Sequence, residues 1–251
     1  SGLRRLVSAD HRRRLWQSAR FYYRVVGPVD PQTEADGAAP WALLDEADAA
    51  LTAGEGGAAL ALYRQAAECS RAVGDVAMWA RAVLGSASAQ DFESEPGQLP
   101  AELYEVYVRV TDDDALRARL AAALARCWVY AGNASRAVPF ADEAVVLADS
   151  VGDAVLTADC LDAALAANWG PDDLNRRGLL VDSLDDVTAH VLDPAAQLRA
   201  RLWGLQIACE CLEVPAIHRQ LRGLERLGER SPLAMFFAAS RRLMVDVLHG
   251  R

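Results

Sequence analysis

The chain has 251 residues, 52% of them hydrophobic and 7% aromatic, and a formal net charge of −9. All 26 basic residues are arginine, which excludes chemistry that needs a lysine from this chain: a P-loop cation, a Schiff base, pyridoxal phosphate attachment. The acidic balance repels a phosphate backbone, and no apolar run approaches the ~20 residues of a membrane-spanning helix.

The first segment departs from this balance. Residues 1–24 hold seven arginines and one acid, Asp10, a local charge of +6 that leaves −15 for the remainder. Leu3, Leu6, Val7, Leu15, Trp16, Ala19, Tyr22, Tyr23 and Val26 form an apolar stripe at helical spacing, so residues 1–26 are expected to be a basic amphipathic helix. Such a helix could meet an anionic partner or nucleic acid. Docking its stripe on the next helices, with its arginines against the acidic remainder, fits the charges better. GPVDPQTEADGAAP, residues 27–40, has three prolines and no periodicity, and is expected to be a linker. No charged-then-apolar leader opens the chain, so a cytoplasmic protein is expected.

Beyond the linker the sequence repeats itself. Residues 41–75 and 119–153 align without a gap at an offset of 78, matching Ala47 with Ala125, Ala53-Gly54 with Ala131-Gly132, Ala59 with Ala137, Ala66 with Ala144 and Val73-Gly74-Asp75 with Val151-Gly152-Asp153. A fixed period of this kind identifies stacked supersecondary units. Within the second copy Ala137, Val138, Ala141, Ala144, Val145 and Ala148 follow the 3.6-residue rhythm of one buried stripe, between an N-capping Asn133 and a C-terminal Gly152. Each copy is therefore a helix, a glycine turn and a second helix, with alanines seven apart where two axes approach closely.

Taken in order, the periodicity predicts further helices at 41–53, 57–73, 76–90, 100–110, 114–131, 134–151, 154–167, 172–189, 194–212, 215–229 and 232–249, about twelve in all with the first. DFESEPGQLP, 91–100, is a second loop, and strand signals are nearly absent. The expected fold is all-α, a right-handed superhelix of antiparallel helix pairs occupying residues 41–251. Asp112-Asp113-Asp114 and Asp172-Asp173 each precede a helix and are expected to cap it. The five cysteines are odd in number and most lie in helical stripes, as reduced thiols do, while the four histidines are isolated from one another and from any metal-binding spacing.

Placed with Gly132 at its turn, the second copy resembles a tetratricopeptide (TPR) unit: Leu124, Ala125 and Trp128 on the first helix and Ala137 and Ala144 on the second fall at the small and apolar positions of that pattern. It departs from the pattern at Ala141, where a large residue is usual, and at Asp149, near the usual closing proline. More specifically, DALRARLAAALARCWVYAGNASRAVPFADEAVVLADSVGD followed by NWGPDDLNRR is similar to the helical region of large actinobacterial transcriptional regulators of the LuxR type and related (STAND-like) ATPase regulators. The resemblance covers roughly residues 41–249, and Trp169-Gly170-Pro171-Asp172-Asp173-Leu174 is its most distinctive piece. It implies a non-catalytic array for signal reception and self-association, with the ATPase and DNA-binding domains outside this chain.

The first helices of such an array line its concave face. Trp79, Trp128, Tyr130, Trp169 and Trp203, with Arg81 and Arg126 near them, are the candidate ligand- or partner-binding residues, since aromatic walls with a few arginines suit a peptide, a sugar or a natural product. Equally, tryptophans of this kind fill the wedge between helices. The functional expectation is a protein-interaction or self-association domain without catalytic residues, metal or cofactor. A small-molecule sensor is the alternative, and an all-helical enzyme the third reading.

Overall fold

The computed structural model describes residues 39–89, 98–170, 173–248 and 250, so the basic helix expected over 1–26 lies outside the described residues. The chain divides into two compact units, Ser1–Val151 and Gly152–Arg251. Among the described residues the regular structure is eleven α-helices and no strand. The first unit holds α1 (Pro40–Thr52), α2 (Gly56–Val73), α3 (Val76–Ala89), α4 (Gln98–Tyr107), α5 (Asp114–Tyr130) and α6 (Ala134–Val151). The second holds α7 (Ala154–Ala167), α8 (Leu174–Thr188), α9 (Pro194–Glu210), α10 (Val214–Gly228) and α11 (Pro232–Leu248). Within each unit every helix packs on the next, and α1 also packs on α3, α3 on α5, and α7 on α9.

Three of the helix junctions share one turn. At Gly54, Gly74 and Gly132 the backbone enters the left-handed region, with φ of 81°, 77° and 70°. In each turn the glycine N–H donates to the carbonyl three residues back and the next N–H to the carbonyl five back, as Gly132 does to Val129 (2.9 Å) and Asn133 to Trp128 (2.8 Å). These bonds satisfy carbonyls that the helix end leaves free, and glycine has no Cβ to oppose the conformation. Asp75 and Asp153, the matched acids that follow Gly74 and Gly152, accept amide bonds at the start of α3 and α7. Asn133 and Asp113 do the same for α6 and α5. Asp173 stands at the head of α8 but accepts no capping bond; the Arg177 guanidinium one turn on attracts its charge instead.

Of the repeat-matched alanines, Ala53 and Ala131 beside the glycine turns are exposed, and Ala47, Ala59, Ala66, Ala125, Ala137 and Ala144 are fully buried. Between them Leu43, Leu44, Tyr63, Trp79, Val83, Leu103, Leu120, Leu124 and Phe140 fill the first unit's core. The 78-residue period also continues into the next helix. Ala80, Ala82, Val83, Ser86 and Ala89 of α3 correspond to Ala158, Cys160, Leu161, Ala164 and Ala167 of α7, and all ten are buried. In α9 to α11 the small residues give way to leucines: Leu198, Leu205, Leu221 and Leu224 pack with Ala234, Ala238 and Val245.

One boundary differs from the periodic pattern for a local reason. The stripe predicts a helix to residue 212, but α9 stops at Glu210 because Leu212 takes the left-handed position with φ of 57°, donating to Cys209 (3.2 Å) while Glu213 donates to Ala208 (2.9 Å). It is the same turn made without a glycine. The Leu212 side chain is 81% exposed and gains little from packing. Leu212→Gly is therefore expected to raise stability by about 1 kcal/mol, the left-handed penalty of a residue with a Cβ, seen as a higher urea midpoint at unchanged slope. Ala144→Leu, which forces a branched side chain into a helix contact, is expected to lower it by about 2 kcal/mol.

Candidate functional site

The sequence candidates fall in three environments. Trp79 is 5% exposed in α3, beneath a lid of charge. The Arg71 and Arg109 guanidinium carbons lie 5.5 and 5.0 Å from its ring centre, and Glu105 bridges the two arginines at 3.0 and 3.2 Å. The ring is buried and covered by cations of the same chain, which makes it a core residue.

Arg81, two residues along, is turned to solvent and pairs with Asp48 of α1 at 2.7 Å and Asp45 at 3.8 Å. Asp48 also accepts the phenol proton of Tyr63, and that bond, with Arg81 beside it, holds the carboxyl below its ordinary value. Burial, reinforced by the same carboxylate, pushes the Tyr63 phenol up to about 12. The Tyr63 ring lies flat on Gly85, where an added Cβ would stand 2.3 Å from a ring carbon. The group is thus a clasp of α1, α2 and α3. At the same offset of 78 the charges are reversed, with Arg126 in the place of Asp48 and Asp159 in the place of Arg81.

On α5, Arg126 and Tyr130 stand four apart on one face, Arg126 half-buried and Tyr130 89% exposed. Trp128 is half-buried on another face, under Arg136 of α6 at 4.8 Å from its ring centre. A second clasp that the spacing did not signal closes α4 to α6. Tyr107 donates to Glu143 (2.7 Å), Arg117 donates to the other oxygen of Glu143 (3.0 Å) and to the Tyr107 hydroxyl (3.0 Å), and its guanidinium carbon lies 4.7 Å from the centre of the same ring. Burial, with Glu143 adding to it, holds that phenol far above its ordinary value, so it stays a donor.

The second unit brings Trp169 and Trp203 ring to ring, 5.3 Å apart and inclined at 61°. Trp203 projects from α9 and donates its indole N–H to Asp162 of α7 at 2.8 Å, while Trp169 follows α7 and is 60% exposed. Buried Asn168, bonded through its amide to Ala164, ends α7 and sets Trp169 at the rim. The arrangement is an exposed indole held edge to face on a second one whose orientation a carboxylate fixes. Asp162 was not among the sequence candidates. Its place three residues after Asp159 on one helix gave no sign of the tryptophan 41 residues away.

Polar crossings hold α8, α9 and α10 in register. Arg177, 2% exposed, forms a two-pronged pair with Glu210, whose other contact is Gln206. Toward the other end of the same helix pair Arg201 faces Asp185 (3.7 Å) and donates to Gln220 of α10 (3.2 Å). Desolvation raises the Asp185 carboxyl above its ordinary range despite Arg201. Gly204 and Gly223 make the room: a Cβ would come within 2.6 Å of Gln220 at the first and 2.9 Å of Arg201 at the second. Elsewhere, burial pushes the Cys127 thiol up to about 11, so it stays protonated at neutral pH. Among the described residues no group of three or more His, Cys, Asp or Glu is placed to hold a metal ion.

Glu210→Ala leaves a buried guanidinium without its partner and is expected to cost about 2 kcal/mol, less than in a fully buried pair because Glu210 is partly exposed. Arg177 and Gln206 hold the Glu210 carboxyl below its ordinary 4.5, so this contribution is complete above that value and is lost as pH falls through the lowered one. The melting-temperature gap between Glu210→Ala and the unsubstituted chain should be constant near neutrality and narrow as the pH falls below the ordinary 4.5.

No model of a known protein family matches this sequence, and no curated protein matches it.

Proposed function

We propose that this chain is a non-catalytic, TPR-like interaction and signal-reception domain of a larger transcriptional regulator, built as a superhelix of helix pairs, which holds a protein partner at Trp169. The observation that carries this reading is the Trp169–Trp203–Asp162 arrangement. A large exposed ring already fixed in orientation loses little freedom on binding, which is what makes tryptophan an interface anchor. The contacts of α1 with α3, α3 with α5 and α7 with α9 support the superhelical part, since the first helices of successive pairs stack in such an array. The regulator context rests on the resemblance carried by the stretch from Asp114 to Asp153 and by Trp169-Gly170-Pro171-Asp172-Asp173-Leu174.

A small-molecule effector is the second reading, favoured by the carboxylate of Asp162 beside two apolar rings. Thermal melting across sugars, nucleotides and natural products, with mass measured by scattering, separates the two. A ligand at a hundred times its dissociation constant adds about 2.7 kcal/mol to stability. Trp169→Ala should lower the unliganded stability by about 1 kcal/mol, the loss of its ring contact with Trp203, while abolishing the ligand shift or the capture of a partner. A shift or a capture that survives Trp169→Ala would remove the platform from the proposal.

A further inference from the structure

We infer that the outer face of α11 is a self-association surface on which a second copy of this chain docks, α11 against α11 and antiparallel. The inference rests on the interaction-domain reading but uses a surface separate from Trp169. The inner face of α11 is mostly small: Ala234, Ala238 and Val245 are buried against the leucines of α9 and α10, with Phe237 partly buried beside them. Its outer face carries Leu233, Met235, Phe236, Leu243, Met244 and Val247, which are 37 to 64% exposed. With Pro232 and Ala239 these are all the exposed residues between 232 and 247, and none has a charge or a hydrogen-bonding side chain. The charged residues of the helix, Arg241, Arg242 and Asp246, are half-buried at its flanks, and Arg242 is tied to Glu225 of α10. A helix with only solvent outside it carries charges there.

Area, charge and symmetry identify the occupant. The exposed apolar surface is on the order of 600 Å², at the upper end of the largest patch found on a monomer and three quarters of the roughly 800 Å² that each partner gives to a stable pair. A charged ligand finds no counter-charge on this face, and two copies at −9 each repel except over charge-free ground. Leu233, Phe236, Ser240, Leu243 and Val247 repeat at alternating three and four residues, the spacing of a helix-pairing seam. The stripe is also symmetric about Ser240, with Leu233 and Phe236 seven and four residues before it and Met244 and Val247 four and seven after. On a twofold axis at Ser240, Leu233 meets the second copy's Val247 and Phe236 its Met244, each twice, and the small serine at the axis lets the helices approach. A self-complementary patch of this kind closes as a dimer.

The test is sedimentation equilibrium on the whole chain. Twice the single-chain mass is expected at micromolar concentration, and Phe236→Glu or Leu243→Glu should raise the dissociation constant by about 30-fold or more. Both side chains are exposed, so helical circular dichroism stays unchanged and serves as the control for folding. In a chain whose exposed Cys211 is replaced by serine, Ser240→Cys should link two copies by a disulfide under mild oxidation. A chain that stays monomeric to about 100 μM assigns the stripe another occupant and overturns the inference, as does a dimer indifferent to Phe236→Glu. A dimer that Ser240→Cys fails to cross-link overturns the antiparallel arrangement. None of these outcomes touches ligand or partner binding at Trp169, which Trp169→Ala tests on its own.

Discussion

Two helices approach to backbone distance only where the side chains between them are reduced to methyl groups. In the first unit this condition is met at Ala47, Ala59 and Ala66 and again, 78 residues on, at Ala125, Ala137 and Ala144, every one fully buried. Much of the rest of the unit follows from that closeness. Burying a methyl contributes only about 0.8 kcal/mol, so the alanines set geometry more than they supply energy. The larger share comes from the large side chains buried beside them: Leu44, Tyr63, Trp79, Leu124 and Phe140. It also explains why Tyr63 needs Gly85 opposite it, since a ring fits between closely packed helices only against a residue with no side chain.

Close packing of this kind slides easily unless something fixes the register, and here polar groups do so. Tyr63–Asp48–Arg81 ties three helices, Tyr107–Glu143–Arg117 ties the next three, and Arg177–Glu210 with Asp185–Arg201–Gln220 ties α8, α9 and α10. Each is a directional contact among nondirectional ones. Most of these carboxylates and phenols are engaged in holding helices together, which accounts for their shifted titration without invoking chemistry. Their perturbed values measure burial and pairing inside a scaffold.

Helices announced by local signals were legible almost to the residue. α6 runs from Ala134 to Val151 as its capping asparagine and terminal glycine require, and α7 begins where Asp153 caps it. The end of α9 was not legible, because Leu212 makes a left-handed turn that nothing in a leucine announces. The candidate site was legible only as a set of residue types. Trp79 and Trp169 look alike in the sequence, yet one lies under an Arg–Glu–Arg lid and the other at a rim, and the difference is made by Glu105, Arg109 and Asp162, none of which stands beside its tryptophan in the chain. The clasps join residues 10 to 36 apart, beyond what a 3.6-residue period can reveal.

The orientation of α11 runs against the simplest form of the hydrophobic effect. Left to area alone, the helix would bury Leu233, Phe236, Leu243 and Val247 and expose Ala234 and Ala238; it does the reverse. The surface it packs on decides this. Leu221 and Leu224 already project from α10, whose position is fixed by the Gln220 crossing and by Gly223, and against projecting leucines the helix must offer its small face or stand off and leave a void. Steric fit on one side therefore dictates apolar exposure on the other. A sequence under no further constraint would relieve that exposure with arginine or glutamate, residues this chain uses freely elsewhere. That it keeps Leu, Met, Phe, Leu, Met and Val there, with Leu233 and Phe236 matched by Met244 and Val247 about a single serine, is the physical ground for assigning the face to a second copy of the same helix.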